Sequence, residues 1–189
     1  MIKKFILLFF FLITSQKLIS QEINDWFNQE ANGFLGLMKG SDKQNNDNYE
    51  LYLSYVKKNF AVKSIAYSLI NEEIINSSDQ SILDQYLKVF ENYLTKTIYN
   101  LADPNYEGSI HLISIEETDG INIISSEITD NDEKIRLYWK VASINDSYKI
   151  IDVIIENTSY FVTKKTEFSK ILRKNKNDIQ KLIFELENI

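Results

Sequence analysis

The sequence predicts an α+β fold in which helices from both ends of the chain cover a four-stranded, twisted antiparallel sheet. The middle of the chain holds four runs of strand-forming residues, 109–116, 121–129, 134–144 and 148–156, joined by short turns. The flanking segments place their apolar residues at helical spacing. The short turns favour a meander, with the helices gathered on the sheet.

The first 20 residues predict a cleavable secretory signal peptide. Lys3 and Lys4 precede an apolar run from Phe5 to Ile13, and a polar stretch with Ser15 and Ser20 follows. A membrane-spanning helix needs roughly 20 apolar residues, and this run is shorter. The chain contains no cysteine, so no lipid can be attached to a cysteine at the junction. We therefore expect an exported, soluble protein.

Cleavage near Gln16 or Gln21 would leave one domain over residues 21–189. Removing residues 1–20 removes three lysines and no acidic residue, so the net charge falls from -6 to -9. This acidic balance argues against nucleic acid as a partner. The chain has one proline and five glycines, which indicates a single core without a flexible linker.

Two helical patterns precede the predicted sheet. The first runs from Glu22 to Met38 and has an apolar stripe that includes Trp26 and Phe27. The polar, Asn-rich residues 40–48 favour a turn. The second pattern starts at Tyr49 and continues past a predicted kink into the 60s.

The longest predicted helix follows the expected caps Ser78 and Asp79 and stops before Asp103 and Pro104. Its apolar face is wide, which predicts that this helix is the main cover of the sheet. A shorter helix, 178–187, closes the chain.

The last predicted strand, Tyr148 to Ile155, leads directly into a helix over 159–174. Lys149 and Asp152 are the only interruptions among its aromatic and β-branched residues, which predicts that apolar groups cover both faces of the strand. Ser159 lies where its hydroxyl can accept hydrogen bonds from the first free amides of the helix.

This junction carries a family pattern of an aromatic residue, an Asp, several aliphatic residues, Glu-Gly-x-Ser and a later aromatic residue in a basic helix. The corresponding residues here are Tyr148, Asp152, Val153, Ile154, Ile155, Glu156, Asn157, Ser159 and Phe168. The chain thereby resembles the MlaC family of periplasmic phospholipid-binding proteins, also called the toluene-tolerance family, from about Tyr49 onwards. Asn157 replaces the family's glycine and tolerates the left-handed conformation that glycine supplies. Ala61 departs from the family, which has Asp there.

The resemblance implies an MlaC-like (NTF2-like) fold with a lipid-sized apolar pocket between the sheet and the helices. It implies a periplasmic phospholipid carrier that works between an inner-membrane ABC transporter complex and an outer-membrane lipoprotein complex, through transient membrane contact, to maintain outer-membrane lipid asymmetry. Fifteen apolar residues are expected to bind the lipid: Phe60, Ile65, Leu69, Phe90, Leu94, Ile98, Leu112, Ile123, Trp139, Val141, Ile151, Val153, Ile155, Phe161 and Phe168. For single residues of this set, a place in a solid core remains the alternative.

The helix 159–174 carries a basic cluster in an otherwise acidic protein. Its members are Lys164, Lys165, Lys170, Arg173 and Lys174. One interpretation is a solvated face with favourable charge near the end of the helix. The other is a docking surface for anionic lipid headgroups or for an acidic partner.

The sequence contains few residues that could form a catalytic site. His111 is the single histidine and there is no cysteine, so neither a Cys-His pair nor a cluster of imidazole and thiolate ligands can form. No phosphate-binding loop or dinucleotide fingerprint occurs. We expect no enzyme, metal or cofactor. Two alternatives stay open: an NTF2-like small-molecule enzyme using His111 and Asp152, and a non-catalytic periplasmic interaction or chaperone domain with a filled core.

Overall fold

The computed structural model describes residues 2–39, 46–103, 105–130 and 133–189, with side chains for all of these except 2–20 and 46–48. The helices in these ranges are α1 (Ile2–Lys39), α2 (Asn46–Asn59), α3 (Val62–Ser68), α4 (Glu72–Ser77), α5 (Gln80–Leu101), α6 (Tyr160–Lys174) and α7 (Ile179–Glu187). The strands are β1 (Ser109–Thr118), β2 (Ile121–Asp130), β3 (Glu133–Ile144), β4 (Ser147–Ile155) and β5 (Thr158–Ser159). Residues 40–45 of the predicted turn over 40–48, the predicted stop at Pro104 and the short turn at 131–132 lie outside the described residues, whereas residues 46–48 form the start of α2 instead of a turn.

The predicted α+β fold and antiparallel meander are confirmed. The strands follow one another in the order β1-β2-β3-β4-β5, and each pairs antiparallel with the next. The sheet has five strands instead of the four predicted, because the two residues of β5 pair back onto the end of β4. A two-residue strand has no side-chain period, so hydrophobic patterning cannot reveal it.

One face of the sheet, here called the inner face, packs on the hydrophobic core. Cross-strand pairing places its apolar side chains together: Ile110, Leu112, Ile115, Ile124, Trp139, Val141, Tyr148, Ile150 and Val153. The opposite, outer face carries rows of polar and charged residues, for example His111, Glu127 and Arg136 on three neighbouring strands. The sheet therefore has one apolar face and one largely polar face, as antiparallel sheets commonly do.

The prediction that β4 is apolar on both faces is wrong. The pairing between β3 and β4 shifts by one residue next to Ile151, which forms a β-bulge. Because side chains alternate along a strand, the bulge lets Ile150 and Val153 share the inner face although they are three positions apart. The outer face of β4 then carries Lys149, Asp152 and a single apolar residue, Ile154.

The helices that pack on the sheet are α1, α2, α3 and α6, and α5 is not its main cover as predicted. α1 packs against β1, while α2, α3 and α6 pack against β4. The close neighbours of α5 include α2, α3 and α7. The apolar face of α5 is wide because other helices surround it, and its inward residues, such as Tyr86, Phe90 and Leu94, are buried.

The predicted ends of the helices agree with the structure in part: α1 begins at Ile2 instead of Glu22 and α2 at Asn46 instead of Tyr49. The predicted kink separates α2 from α3 at Phe60 and Ala61. Ser78 ends the unpredicted short helix α4, and Asp79 precedes α5 without a side-chain bond to it. Ser159 and Asp178 cap α6 and α7 through their side chains, as expected for residues before a free helix end.

Candidate functional site

Aromatic side chains of α1 and of the sheet meet in the interface between them. The ring centroids of Trp26 and Tyr148 are 5.7 Å apart, and those of Phe27 and Trp139 are 6.1 Å apart. Phe27 is 4% exposed. The sequence predicted a lipid-sized pocket between the sheet and the helices, with α5 as the main cover. This interface is formed by α1 instead, and we call it the α1 cleft.

The α1 cleft is almost completely filled in this structure. The space left in it has a volume of about 10 Å³, which is close to the minimum for one water molecule, whereas ligand pockets usually span about 300–1,000 Å³. Its walls are formed by Trp26, Phe27, Glu30, Ala31, Phe34, Tyr55, Ile110, Trp139 and Ile150. The predicted lipid-sized pocket is therefore not open in this conformation, because the side chains of α1 occupy it.

A carboxylate interrupts the apolar wall of the α1 cleft. Glu30 is 6% exposed, and its Oε1 atom lies 2.5 Å from the Nζ atom of Lys58. The Nδ2 group of Asn59 donates a hydrogen bond of 2.7 Å to the Oε2 atom of the same carboxylate. A buried carboxylate is costly unless it is paired and hydrogen-bonded, and these two partners meet that requirement.

The surroundings of Glu30 are polar on the α2 side. The hydroxyl of Tyr55 donates to the main-chain oxygen of Glu30 at 3.2 Å, and burial, helped by the charge of Glu30, raises the pKa of Tyr55. Asn59 is fully buried, and its Oδ1 atom has no hydrogen-bond partner among the described residues. Lys58 keeps 57% of its side chain exposed. A cation and an amide donor thus lie side by side, which is a suitable arrangement for binding an anion.

Eight of the fifteen predicted lipid-binding residues are buried in the helical core. They are Phe60, Ile65, Leu69, Phe90, Leu94, Ile98, Phe161 and Phe168. The ring of Phe168 packs edge to face on Phe90 at 6.4 Å and on Tyr93 at 6.1 Å. None of these eight lines the cavity of the α1 cleft.

The predicted residues on the strands divide between the two faces of the sheet. Leu112, Trp139, Val141 and Val153 lie on the inner face, and Trp139 lines the cavity. Ile155 pairs with Leu137 and is 42% exposed. Ile151 is the bulge residue of β4. Ile123 pairs with Lys140 and so lies on the outer face, away from the α1 cleft.

The residues of α1 were not among the predicted site residues, although the sequence contained a signal for them. Ile23, Phe27, Glu30 and Phe34 recur at intervals of three and four, which places all four on one side of a helix. An acidic residue inside such an apolar stripe points to a buried polar contact. The stripe predicted that α1 packs on a partner, but only the fold identifies the sheet as that partner.

The basic cluster of α6 is mostly exposed. Lys165, Lys170, Arg173 and Lys174 all lie on the surface, whereas Lys164 is partly buried. Lys164 forms an ion pair of 2.8 Å with Glu167 and lies 5.5 Å from the ring centre of Tyr160. Burial on its own lowers the pKa of Lys164, but hydrogen bonds to Glu167 and Tyr93 outweigh it and raise the pKa.

A second concave region, a surface groove, lies where α2, α5 and α7 meet. Its volume is about 360 Å³, larger than that of the cavity in the α1 cleft. Its walls are Tyr49, Gln85, Lys88, Val89, Asn92, Tyr93, Lys96, Leu186 and Glu187. These walls carry more polar and charged groups than those of the α1 cleft, so the groove suits acyl chains less well despite its size.

The residues of the alternative catalytic site do not converge. His111 is exposed on the outer face, and its Nε2 atom lies 2.9 Å from the hydroxyl of Ser109. Asp152 lies on β4, three strands away, where its carboxylate accepts hydrogen bonds from the hydroxyl of Ser159 at 2.8 and 2.9 Å. Within the described ranges, no group of three or more His, Cys, Asp or Glu residues could hold a metal ion.

The match to a known protein family decides how this architecture is classified. The family model described as MlaC protein matches residues 28–188. The chain belongs to the MlaC family. This match runs from Asn28 in α1 to Asn188, just past the end of α7, so it includes most of the α1 cleft.

A solved structure has the same fold as this MlaC family member. It is the phospholipid-binding protein from Ralstonia solanacearum in complex with a phospholipid, with a TM-score of 0.70 and 16% sequence identity. The match covers 86% of this chain and 93% of the other. The comparison with curated proteins gave no match. Among the residues that the structure describes, no helix has the length and apolar character needed to cross a membrane.

Proposed function

We propose that this MlaC family member is a phospholipid carrier that hides the acyl chains of one glycerophospholipid in the α1 cleft. The observation that carries the proposal is the aromatic and aliphatic interface between α1 and the inner face of the sheet, in a chain whose family match spans residues 28–188. The structural neighbour from Ralstonia solanacearum, which has the same fold, was solved with a phospholipid. Both findings support a binding protein rather than an enzyme.

The energetic basis of the proposal is the transfer of acyl chains out of water. Burying one methylene group contributes roughly 0.8 kcal/mol, so two chains of about 16 carbons contribute on the order of 20 kcal/mol before the costs of binding are subtracted. The walls supplied by Phe27, Trp139 and Ile150 are apolar, as such chains require. No catalytic group is needed for this function.

The lipid-contacting residues of this proposal differ from the set inferred from sequence. We now place the acyl chains against the inner face, with Trp139, Leu112, Val141 and Val153 from the original set and Ile110 as a new member. Ile123, on the outer face, is not part of the proposed site.

The carrier is proposed to act in the periplasm after removal of residues 1–20. Ile23, Phe27 and Glu30 are buried, and cleavage at Gln16 or Gln21 retains all three. We propose that the protein moves lipid between an inner-membrane ABC transporter complex and an outer-membrane lipoprotein complex, and so maintains lipid asymmetry. The exposed basic cluster of α6 is the proposed surface for transient contact with these complexes or with anionic headgroups.

A pair of substitutions on one strand tests the proposed site. Ile110→Glu places a charge in the wall of the α1 cleft, where hydrocarbon offers it no partner, so uptake of a fluorescent phospholipid should be lost. Ile113→Glu makes the same change on β1 at a residue that is 47% exposed, and uptake should be retained. Circular dichroism identifies the variants that stay folded. Equal uptake by both folded variants would show that the lipid lies elsewhere.

The tight packing of the α1 cleft favours one other candidate, a non-catalytic interaction domain with a filled core. The cavity volume of about 10 Å³ is what such a domain would have. This candidate predicts that the unmodified protein takes up no phospholipid under any condition. The same fluorescence measurement therefore separates it from the carrier.

A further inference from the structure

Two structural features of α1 suggest that it is more than a fixed wall of the cleft. Its residues Trp26, Phe27, Ala31 and Phe34 occupy the space next to the inner face, and the remaining volume is too small for an acyl chain. A lipid can enter the α1 cleft only if these side chains leave it.

Hydrogen bonds attach α1 to the rest of the protein at two places, its C-terminal end and Glu30. The main-chain oxygen of Met38 accepts a hydrogen bond of 3.1 Å from the amide of Asp103. The hydroxyl of Tyr52 donates to the oxygen of Leu37 at 2.5 Å. Toward the sheet, the contacts described above are between aromatic rings, which carry no directional bond. Rotation about the C-terminal end would clear the cleft without unfolding the helix.

Glu30 is the polar link that holds α1 over the cleft. Its carboxylate binds the ammonium of Lys58 and the amide of Asn59. A phosphodiester resembles a carboxylate in carrying a negative charge on two exposed oxygens that accept such hydrogen bonds.

The position of Lys58 suits a lipid headgroup. The Nζ group of Lys149 donates to the main-chain oxygens of Lys57 and Lys58, which fixes the end of α2 beside β4. Lys57 itself is paired with Glu91 at 3.3 Å. Lys58 has more than half of its side chain in solvent while its ammonium reaches the carboxylate at the edge of the cleft. A headgroup bound there would stay in water while its acyl chains pass along the inner face.

We infer that α1 is an internal occupant of the lipid cleft, and that Glu30 occupies the Lys58 and Asn59 groups that bind the lipid phosphate once α1 has moved away. The inference rests on the proposed phospholipid binding. It adds a headgroup site and a closed state in which the protein blocks its own cleft. Emptying the cleft of lipid and closing it with α1 are then one event, which keeps the apolar inner face out of water at each stage.

The two tryptophans of the chain separate the movement of α1 from the binding of lipid, because Trp26 lies on α1 and Trp139 lies on the sheet. Trp26→Phe leaves Trp139, whose emission should be quenched by phosphatidylglycerol with brominated acyl chains. Trp139→Phe leaves Trp26, whose emission should shift to longer wavelength and become more accessible to acrylamide when unbrominated phosphatidylglycerol is added.

Each outcome of the tryptophan experiment has a separate meaning. Quenching of Trp139 together with greater exposure of Trp26 supports the inference. Quenching of Trp139 with unchanged Trp26 emission means that lipid binds beside a stationary α1, so the inference is wrong while the proposed function stands. No quenching and no uptake overturns the proposed function, and the inference with it.

Charge-neutralising variants test the role of Glu30. Glu30→Gln removes a charge-assisted bond, so phosphatidylglycerol should enter faster, by roughly tenfold for the loss of one such bond. Glu22→Gln makes the same charge change at an exposed position of α1 and should leave the rate unchanged. Equal rates for the two variants would contradict a role for Glu30 in closing the cleft.

The proposed phosphate site is tested in the Glu30→Gln background, where the lysine no longer faces a carboxylate. Adding Lys58→Gln should weaken the binding of phosphatidylglycerol by about tenfold and leave the binding of diacylglycerol, which has no phosphate, unchanged. Lys57→Gln in the same background is the matched control and should affect neither lipid. An equal loss for both lipids would overturn the assignment of Lys58 to the phosphate.

Discussion

The carboxylate of Asp152 connects the last strands of the sheet to α6. Its contacts explain why the family pattern has Asp and Ser at these positions. It accepts hydrogen bonds from the hydroxyl of Ser159 and from the amide of Val153 at 2.9 Å. The hydroxyl of Ser159 in turn accepts from the amide of Val162 at 3.0 Å, which caps α6. The Asp and Ser of the pattern therefore serve the geometry of the junction rather than the binding of lipid.

The turn between Asp152 and Ser159 confirms the prediction for Asn157. Glu156 has a φ of 48° and Asn157 a φ of 66°, so both residues adopt left-handed conformations in the tight turn between β4 and β5. Two consecutive residues with positive φ are typical of a two-residue hairpin loop. The sequence indicated this conformation for Asn157 because glycine occupies the position in the family pattern.

Substitutions at Asn157 should differ according to their tolerance of positive φ. Asn157→Gly should leave the stability nearly unchanged, since glycine adopts this conformation readily. Asn157→Val should lower the free energy of unfolding by about 1 to 2 kcal/mol, because a β-branched side chain fits it poorly. Urea unfolding followed by circular dichroism measures both. Equal stabilities would show that the turn imposes no such constraint.

At the scale of elements, the sequence predicted which segments are helices and strands better than it predicted what they pack against. The hydrophobic period of α5 indicated a wide apolar face, but the period is the same whether the neighbour is a sheet or three other helices. The bulge at Ile151 likewise shifts the alternation of side chains along β4 by one residue. The sequence pattern therefore predicted two apolar faces for a strand that has one. The packing partner of a helix and the pairing register of a strand depend on contacts between residues that are far apart in the sequence.

The same limitation explains the outcome for the candidate site. Large apolar residues such as Phe90 and Leu94 occur in solid cores as often as in pocket walls, so the sequence could not distinguish the two. The structure places both residues in the core. Trp139 was chosen by the same criterion, and the structure places it on the inner face of the sheet beside the cavity. Glu30 could not be assigned to Lys58 from sequence, since 28 positions separate the two residues.

The basic cluster of α6 leads to a prediction about lipid transfer. The double variant Lys165→Glu and Arg173→Glu should keep its bound lipid, because both side chains are exposed and neither lines the α1 cleft. Transfer of fluorescent phospholipid to anionic acceptor vesicles should become slower, most clearly at low ionic strength, where exposed charges are screened least.

A matched control for this variant is Lys63→Glu with Lys181→Glu, which changes the net charge equally at two other exposed sites. Its transfer rate should exceed that of the α6 variant. If the two double variants transfer lipid at the same rate, the effect comes from net charge, and α6 is not the docking surface.

At the scale of the whole molecule, the proposed location can be checked at the N-terminus of the exported chain. If the producing cells have two membranes, the protein should be released with the periplasmic contents, and its sequence should start at or near Gln16 or Gln21. The physical basis is the short apolar run behind Lys3 and Lys4. N-terminal sequencing that finds Met1 on the exported protein, or fractionation with the inner membrane, would contradict the predicted signal peptide.

The central claim is that this protein carries a phospholipid, and native mass spectrometry of the protein purified from its producing cells without detergent tests it most directly. We expect a species heavier than the polypeptide by the mass of one diacyl phospholipid, which organic extraction should release and identify. A spectrum with only the mass of the bare polypeptide, together with no uptake of added fluorescent phospholipid, would contradict the account.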